Sequence, residues 1–196
     1  MRNSLLSFCI LTCCCCLIAG CQEKKVEKVQ ETADSLELAD PDTTLYGVCG
    51  TATTMHSIEL KTDDGKTLTL LVDVASNYTG DEEEQAISCV KGGLFSGDRL
   101  AIVATTIDGE LTAQKVININ TLKGKWTSLD RNFEILDDGD VIATVQSEKN
   151  PYTSWRIHNG RLLLGRDTFD VVTLGADSLE LESRDGIYLY KRQGQM

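Results

Sequence analysis

The sequence predicts an all-β protein built from two small antiparallel barrels. From Leu45 onward, apolar and polar residues alternate in runs of about five to eight, as expected when successive side chains lie on opposite faces of a strand. Five Asp-Gly or Asn-Gly pairs separate these runs, at residues 64–65, 108–109, 138–139, 159–160 and 185–186. Such pairs supply the positive φ angles that tight hairpin turns require. We therefore expect helix to be a minor component.

The first 20 residues have the composition of an export signal. One positive charge is followed by a mostly apolar run from Leu5 to Ile18, shorter than the roughly 20 residues that a membrane-spanning helix needs. Ala19-Gly20 and then Cys21 come directly after it. This stretch resembles the bacterial lipobox, in which small residues precede a cysteine that is diacylated on sulfur. The resemblance implies that residues 1–20 are removed and that Cys21 carries acyl chains such as palmitate.

The residue that follows Cys21 bears on the location of the protein. In bacteria that sort lipoproteins by this position, Asp retains them in the inner membrane, so Gln22 implies an outer-membrane lipoprotein of the cell envelope. The contact with the membrane is expected to come from the lipid alone. A net charge of −11 repels phosphate backbones and anionic headgroups, so we expect neither nucleic-acid binding nor adsorption of the protein surface to lipid.

Residues 21–44 are predicted to be the lipidated cysteine and a flexible tether. Polar and charged residues dominate from Gln22 to Thr44 and aromatic residues are absent, which leaves too little apolar surface for a core. Apolar residues recur at helical spacing in this stretch, at Val26, Val29, Ala33 and Leu36. The alternative is therefore a short amphipathic helix that docks on a partner or on the protein's own domain.

Residues 45–121 are predicted to form the first barrel. They contain about five strands and one long connection, Ala75 to Asp98, which favours a small, partly open barrel over a flat meander. The stretch Ser96 to Val103 resembles the turn into a central strand of OB-like or SH3-like barrels. An OB fold would suggest oligonucleotide binding. Acidic side chains outnumber basic ones here and aromatic side chains for base stacking are nearly absent, which argues against that function.

Residues 122–196 are predicted to form the second barrel. Eight short runs can curl into an up-and-down barrel without exposed edges. Gly124 and Trp126 lie in the first run and Arg192 ends the last. These residues resemble the G-x-W motif and the late basic residue of lipocalins, in which an Arg packs across the Trp at the closed end. The region has less than half the usual lipocalin length and is similar to the compact lipocalin-like domains of small bacterial lipoproteins.

The lipocalin resemblance implies a cavity for a small apolar ligand. The side chains expected to line it are Trp126, Trp155, Ile157, Leu179 and Leu181. Strands of about six residues span only about 20 Å, so the barrel could instead be filled by its own side chains. Two functions remain open: a carrier or sensor of an apolar molecule, or a structural, interaction or inhibitor module that contacts another envelope protein through a ligand-free barrel. If Ile187 and Leu189 point inward, Tyr188 and Tyr190 form an exposed patch.

The remaining cysteines and the histidines give little support for chemistry. Cys49 and Cys89 are left after the signal and the lipidated cysteine. Two such cysteines commonly pair in an exported protein, but the sequence does not show whether their β carbons face each other, so a disulfide and two buried thiols both remain open. His56 and His158 lie in no spacing that would join a nucleophile, a base and a carboxylate. No Cys/His cluster with metal-ligand spacing is present. We expect neither enzymatic activity nor a cofactor.

Overall fold

The computed structural model describes residues 40–72, 89–129, 131–143 and 151–194, and these contain fourteen strands and one short helix. The predicted signal peptide, Cys21, nearly all of the tether and much of the long connection after Ala75 lie outside the described residues. The predicted all-β architecture is confirmed.

The first sheet contains six strands. They are β1 Leu45–Cys49, β2 Ser57–Thr62, β3 Thr67–Val72, β4 Val90–Lys91, β5 Arg99–Ile107 and β6 Glu110–Asn118. Their order in the sheet is β3-β2-β1-β5-β6-β4. A parallel pairing of β3 with β6, through Leu71–Thr112 and Val72–Ala113, closes five of them into a barrel. Because β1 lies between β2 and β5, the connectivity is that of a Greek-key, OB-like barrel rather than a meander.

The helix α1, Ile119–Leu122, joins this barrel to the second one. The strands that follow are β7 Gly124–Thr127, β8 Asn132–Ile135, β9 Val141–Ala143, β10 Trp155–His158, β11 Arg161–Leu164, β12 Asp167–Leu174, β13 Ser178–Ser183 and β14 Gly186–Arg192. Their order is β10-β11-β12-β13-β14-β7-β8-β9, with antiparallel neighbours throughout. A bridge between Asp140 and Ser154 nearly completes the ring, which confirms the predicted up-and-down barrel.

Two of the predicted hairpin turns have backbone angles that favour Asp-Gly or Asn-Gly. Asp108 and Gly109 connect β5 to β6 with φ angles of 51° and 87°, and Asn159 and Gly160 connect β10 to β11 with 47° and 72°. Positive φ at both central residues defines the type I′ turn, whose twist matches that of the flanking strands. Asp and Asn tolerate this conformation better than other side chains, and Gly has no side chain to hinder it.

Two hydrophobic clusters form the core. The first is aliphatic and fills the first barrel, with Ile58, Leu60, Leu70, Leu100, Ile102 and Val116 fully buried. The second fills the second barrel and is rich in aromatic side chains, namely Trp126, Phe133, Tyr152, Phe169 and Tyr190. Ala101 and Ile117 of the first barrel, together with Ile119 and Leu122 of α1, also belong to this second cluster.

The barrels pack against each other along β5 and β6. Consecutive residues of a strand face opposite sides, so Leu100 and Ile102 fill the first barrel while Ala101 between them packs with the second cluster. Polar contacts cross the same junction. The Tyr46 hydroxyl donates to the carbonyl oxygen of Ile157 at 2.7 Å, and Lys115 Nζ lies 2.6 Å from Asp170 Oδ1.

Candidate functional site

The structure brings Gly124, Trp126 and Arg192 together at one end of the second barrel, which we call the closed end. Trp126 is fully buried and its Nε1 donates to the carbonyl oxygen of Leu122 at 2.8 Å. Arg192 Cζ lies 4.2 Å from the centroid of the indole, within cation–π range. Gly124 has a φ of 120°, and a Cβ atom there would lie 2.5 Å from Arg192 Nη1. Glycine therefore suits this position, because other residues rarely adopt this φ and a Cβ would push the guanidinium away from its contacts.

The Arg192 side chain also joins three segments through their backbones. Its Nη1 donates to the carbonyl oxygen of Lys123 at 2.7 Å, its Nη2 donates to that of Thr121, and its Nε donates to that of Ala176. Burial of the guanidinium lowers its pKa from the ordinary value. These contacts tie the end of β14 to α1 and to the turn between β12 and β13. The arrangement is a structural clamp rather than a ligand site.

The residues expected to line a cavity are part of the packed core. Trp126, Ile157, Leu179 and Leu181 are buried members of the second cluster, and Trp155 is partly buried against it. The Nε1 of Trp155 donates to the carbonyl oxygen of Leu136 at 2.8 Å, so both indole N–H groups of the chain bond to backbone. The interior at these five positions is therefore occupied by protein side chains.

A chain of edge-to-face aromatic contacts continues this packing. The ring centroids of Tyr190 and Phe133 are 5.0 Å apart, those of Phe133 and Tyr152 5.6 Å, those of Tyr152 and Phe169 6.3 Å, and those of Phe169 and Tyr188 5.7 Å. Such pairs contribute about 0.5–1.5 kcal/mol each beyond the burial of area. The concentration of aromatic residues late in the sequence therefore serves the core.

On β14 the two tyrosines face the interior and the two aliphatic residues face outward, so the strand exposes no tyrosine patch. Tyr190 is buried and Tyr188 is partly buried, whereas Ile187 and Leu189 are 61% and 67% exposed. The tyrosines face inward because their rings complete the aromatic chain. We call Ile187 and Leu189 the outer patch. In the register of β13 and β14, Ile187 lies opposite Glu182 and Leu189 lies opposite Glu180.

A cleft of about 160 Å³ lies at the end of the barrel opposite the closed end, and we call it the turn cleft. Residues of the β7–β8, β11–β12 and β13–β14 connections border it, among them Arg131, Arg166 and Arg184. None of the five predicted lining residues borders this cleft. The sequence contains a signal for this cleft, because arginines recur in turns that emerge at the same end of an up-and-down barrel.

Cys49 and Cys89, for which the sequence left a disulfide and two thiols both open, are free thiols in this structure. Cys49 is buried in the first cluster, with its Sγ 3.4 Å from Thr53 Oγ1, and Cys89 packs against the same cluster. His56 is exposed in the first barrel, and His158 Nδ1 lies 3.7 Å from Asp42 Oδ2 in the second. Within the described ranges, no three His, Cys, Asp or Glu side chains are grouped to hold a metal ion.

No protein-family model, curated protein or solved structure matches the chain. In the part of the chain that the structure describes, no helix is both long enough and apolar enough to cross a bilayer.

Proposed function

We propose that this chain is a lipid-anchored protein of the bacterial cell envelope that acts without catalysis, as an interaction module for another envelope protein. The observation that carries the proposal is the pairing of a filled second barrel with an exposed apolar surface on its wall. The outer patch, Ile187 and Leu189, provides that surface.

The packed interior makes the alternative, a carrier of a small apolar molecule, the weaker candidate. A ligand inside the barrel would have to displace side chains such as Leu179 and Leu181, which are buried in the second cluster. Removing one large buried side chain typically costs about 2–5 kcal/mol, and displacing several would cost more than a small apolar ligand can offset. Binding on the outside of the barrel avoids this cost.

The surroundings of the outer patch indicate the chemistry of its partner. Glu180 and Glu182 lie directly across from the two apolar side chains, and Lys191 follows them on the same face of β14. Anionic headgroups would be repelled by these glutamates and by the net charge of −11, which favours a protein partner over the bilayer surface. The best fit is a protein that presents apolar side chains flanked by basic ones.

The interaction can be tested by crosslinking and capture from solubilised membranes. We expect the wild-type chain to capture a distinct protein, and the variant Ile187→Ser/Leu189→Ser to lose it. Ile107→Ser is the matched control, because Ile107 is also exposed on a strand but belongs to the first barrel. The captured protein should then bind the purified wild-type chain directly. Equal capture by the double variant, or no capture above background, would refute the proposed surface.

The proposed anchor is tested separately, because residues 1–39 lie outside the described residues. Cys21→Ala should abolish acyl labelling and move the protein from the membrane to the soluble fraction. In a host that sorts by the following residue, Gln22→Asp should retain the labelled protein in the inner membrane. Labelling that persists in Cys21→Ala would refute Cys21 as the lipidated residue.

A further inference from the structure

The turn cleft lies away from both the outer patch and the packed interior. In an up-and-down barrel every second turn emerges at the same end, so the β7–β8, β11–β12 and β13–β14 connections meet there although they are distant in sequence. Each contributes one arginine, Arg131, Arg166 or Arg184. We propose that the turn cleft binds a small oxyanion, namely a carboxylate or phosphate group carried by a molecule of a few heavy atoms.

The turn cleft carries an excess of positive charge. Three guanidinium groups border it in a chain whose net charge is −11, against the two carboxylates of Asp167 and Asp185. The planar guanidinium presents its N–H groups as a fork that matches the two oxygens of a carboxylate or phosphate. A local excess of arginines on an acidic protein makes this cleft a place where an anion is attracted rather than repelled.

Two of the arginines have different surroundings. Arg131 is held in place, because its Cζ lies 4.5 Å from the centroid of the Tyr152 ring and its Nη1 lies 3.9 Å from Asp167 Oδ2. Arg166 is exposed and makes no hydrogen bond or ion pair with the residues that the structure describes. One guanidinium is thus positioned by the fold, and another has its full set of donors available for a ligand.

A buried hydroxyl group without a partner also lies at the turn cleft. Thr168 borders the cleft and is only 5% exposed, and its Oγ1 has no hydrogen-bond partner among the described residues. A buried hydroxyl without a partner destabilises the folded state, and native proteins rarely leave one unsatisfied without a reason. Because Oγ1 itself is buried, an oxygen atom of a bound anion becomes its acceptor only if the Thr168 side chain shifts toward the cleft.

The size of the cleft limits the ligand. A volume of about 160 Å³ is smaller than the roughly 300–1,000 Å³ of pockets that hold drug-sized ligands. It suits an anionic group of a few atoms, and its polar border does not suit an acyl chain. The inference is independent of the proposed interaction surface, because Ile187 and Leu189 do not border the cleft.

The test is a titration of the full chain, purified in a neutral detergent, with sodium phosphate and separately with sodium acetate. Sodium chloride at matched ionic strength is the control for screening. We expect saturable calorimetric binding of at least one anion, and a loss of at least tenfold in affinity in Arg166→Gln. Arg156→Gln is the matched control variant, because Arg156 is an exposed arginine of the same barrel that does not border the cleft. Saturation by phosphate alone or by acetate alone would identify the preferred oxyanion.

A second variant separates binding from folding. Thr168→Val removes the hydroxyl and leaves a side chain of similar shape, so we expect at least threefold weaker anion binding with an unchanged or higher thermal unfolding midpoint. No saturable binding of either anion would overturn the proposal. Equal weakening in Arg166→Gln and Arg156→Gln, or a Thr168→Val protein that is destabilised yet binds normally, would overturn it as well.

Discussion

The first barrel closes through a parallel ladder between two strands, whereas the second closes through one isolated backbone bridge and a side-chain contact beside it. In the first, β3 and β6 form a parallel ladder that completes the ring. In the second, a single bridge joins the ends of β9 and β10, with backbone hydrogen bonds from Val141 N to Thr153 O at 3.1 Å and from Trp155 N to Gly139 O at 2.7 Å. The indole of Trp155 adds a hydrogen bond to the carbonyl oxygen of Leu136. Trp155, which the sequence suggested as a cavity-lining residue, therefore contributes to the closure of the second barrel, and the other aromatic side chains of this barrel pack in its core.

The largest expected effect concerns the two cores. Trp126→Ala should lower the free energy of unfolding by about 3–5 kcal/mol, because it removes a large buried side chain and the surface on which Arg192 stacks. Leu60→Ala in the aliphatic core of the first barrel should cost about 2–5 kcal/mol. Urea unfolding followed by circular dichroism measures both. A cost below 1 kcal/mol for Trp126→Ala would contradict the structural role given to the indole.

The same Leu60→Ala variant tests whether the barrels are coupled. Both tryptophans of the chain, Trp126 and Trp155, lie in the second barrel, so their fluorescence reports on that barrel. Because Ala101 and Ile117 of the first barrel pack in the second cluster, we expect the fluorescence midpoint to fall together with the circular dichroism midpoint. A fluorescence midpoint that stays at the wild-type urea concentration would show that the barrels unfold independently.

A smaller effect is expected at the closed end. Arg192→Lys keeps the charge but loses the fork that bonds to the carbonyl oxygens of Thr121, Lys123 and Ala176, and should cost about 2–3 kcal/mol. Gly124→Ala should cost more than about 1 kcal/mol through its positive φ and the approach of Arg192. The combined Gly124→Ala/Arg192→Ala variant should lose less than the sum of its single variants, since no guanidinium remains to clash. Strict additivity in urea unfolding would contradict this contact.

A further prediction concerns pH and the junction between the barrels. Burial, followed by the nearby charge of Asp42, raises the pKa of Tyr46 from the ordinary 10.0 to about 12. As the pH rises above 10, the unfolded chain therefore releases this proton before the folded protein does, and stability falls between pH 10 and 12. Burial raises the pKa of Tyr152 as well, so that residue adds a fall in the same direction.

The variant Tyr46→Phe separates the contribution of Tyr46 to this loss of stability from that of Tyr152. It should cost about 1 kcal/mol at neutral pH through the lost hydrogen bond to Ile157, and its stability should fall less steeply than that of the wild type above pH 10. Tyr152 remains and keeps part of the slope. Denaturation midpoints between pH 8 and 11 provide the comparison, and parallel curves for the two proteins would refute the role of Tyr46.

Last, we expect a reductant to leave the stability of the first barrel unchanged. With Cys49 and Cys89 as thiols, the unfolding midpoint should be the same with and without reductant, and denatured, non-reduced protein should take up an alkylating label at both. A disulfide closing this loop would stabilise the domain by on the order of 4 kcal/mol in the chain-entropy model. A midpoint that falls on reduction, with no label at either cysteine beforehand, would favour the disulfide.

Local patterns in the sequence predicted the strands and the meander. Gly124, Trp126 and Arg192 were grouped by their resemblance to the lipocalin G-x-W motif and its late arginine, because no local pattern joins residues so far apart in the chain. The faces of β14 could not be found, since the alternation Ile-Tyr-Leu-Tyr is apolar on both sides and period two does not say which side is inside. The docking role of Ala101 and the meeting of three turns at the cleft depend on contacts between distant segments.

We infer that the second barrel is filled by its own side chains and acts through its surface. The most direct test is native mass spectrometry of residues 22–196 after exposure to a lipid extract of the host. The account predicts the mass of the polypeptide alone, both before and after exposure. A retained extra mass that survives gentle desolvation, and that disappears when Leu181 is replaced by a larger side chain, would contradict the account and identify the barrel as a carrier.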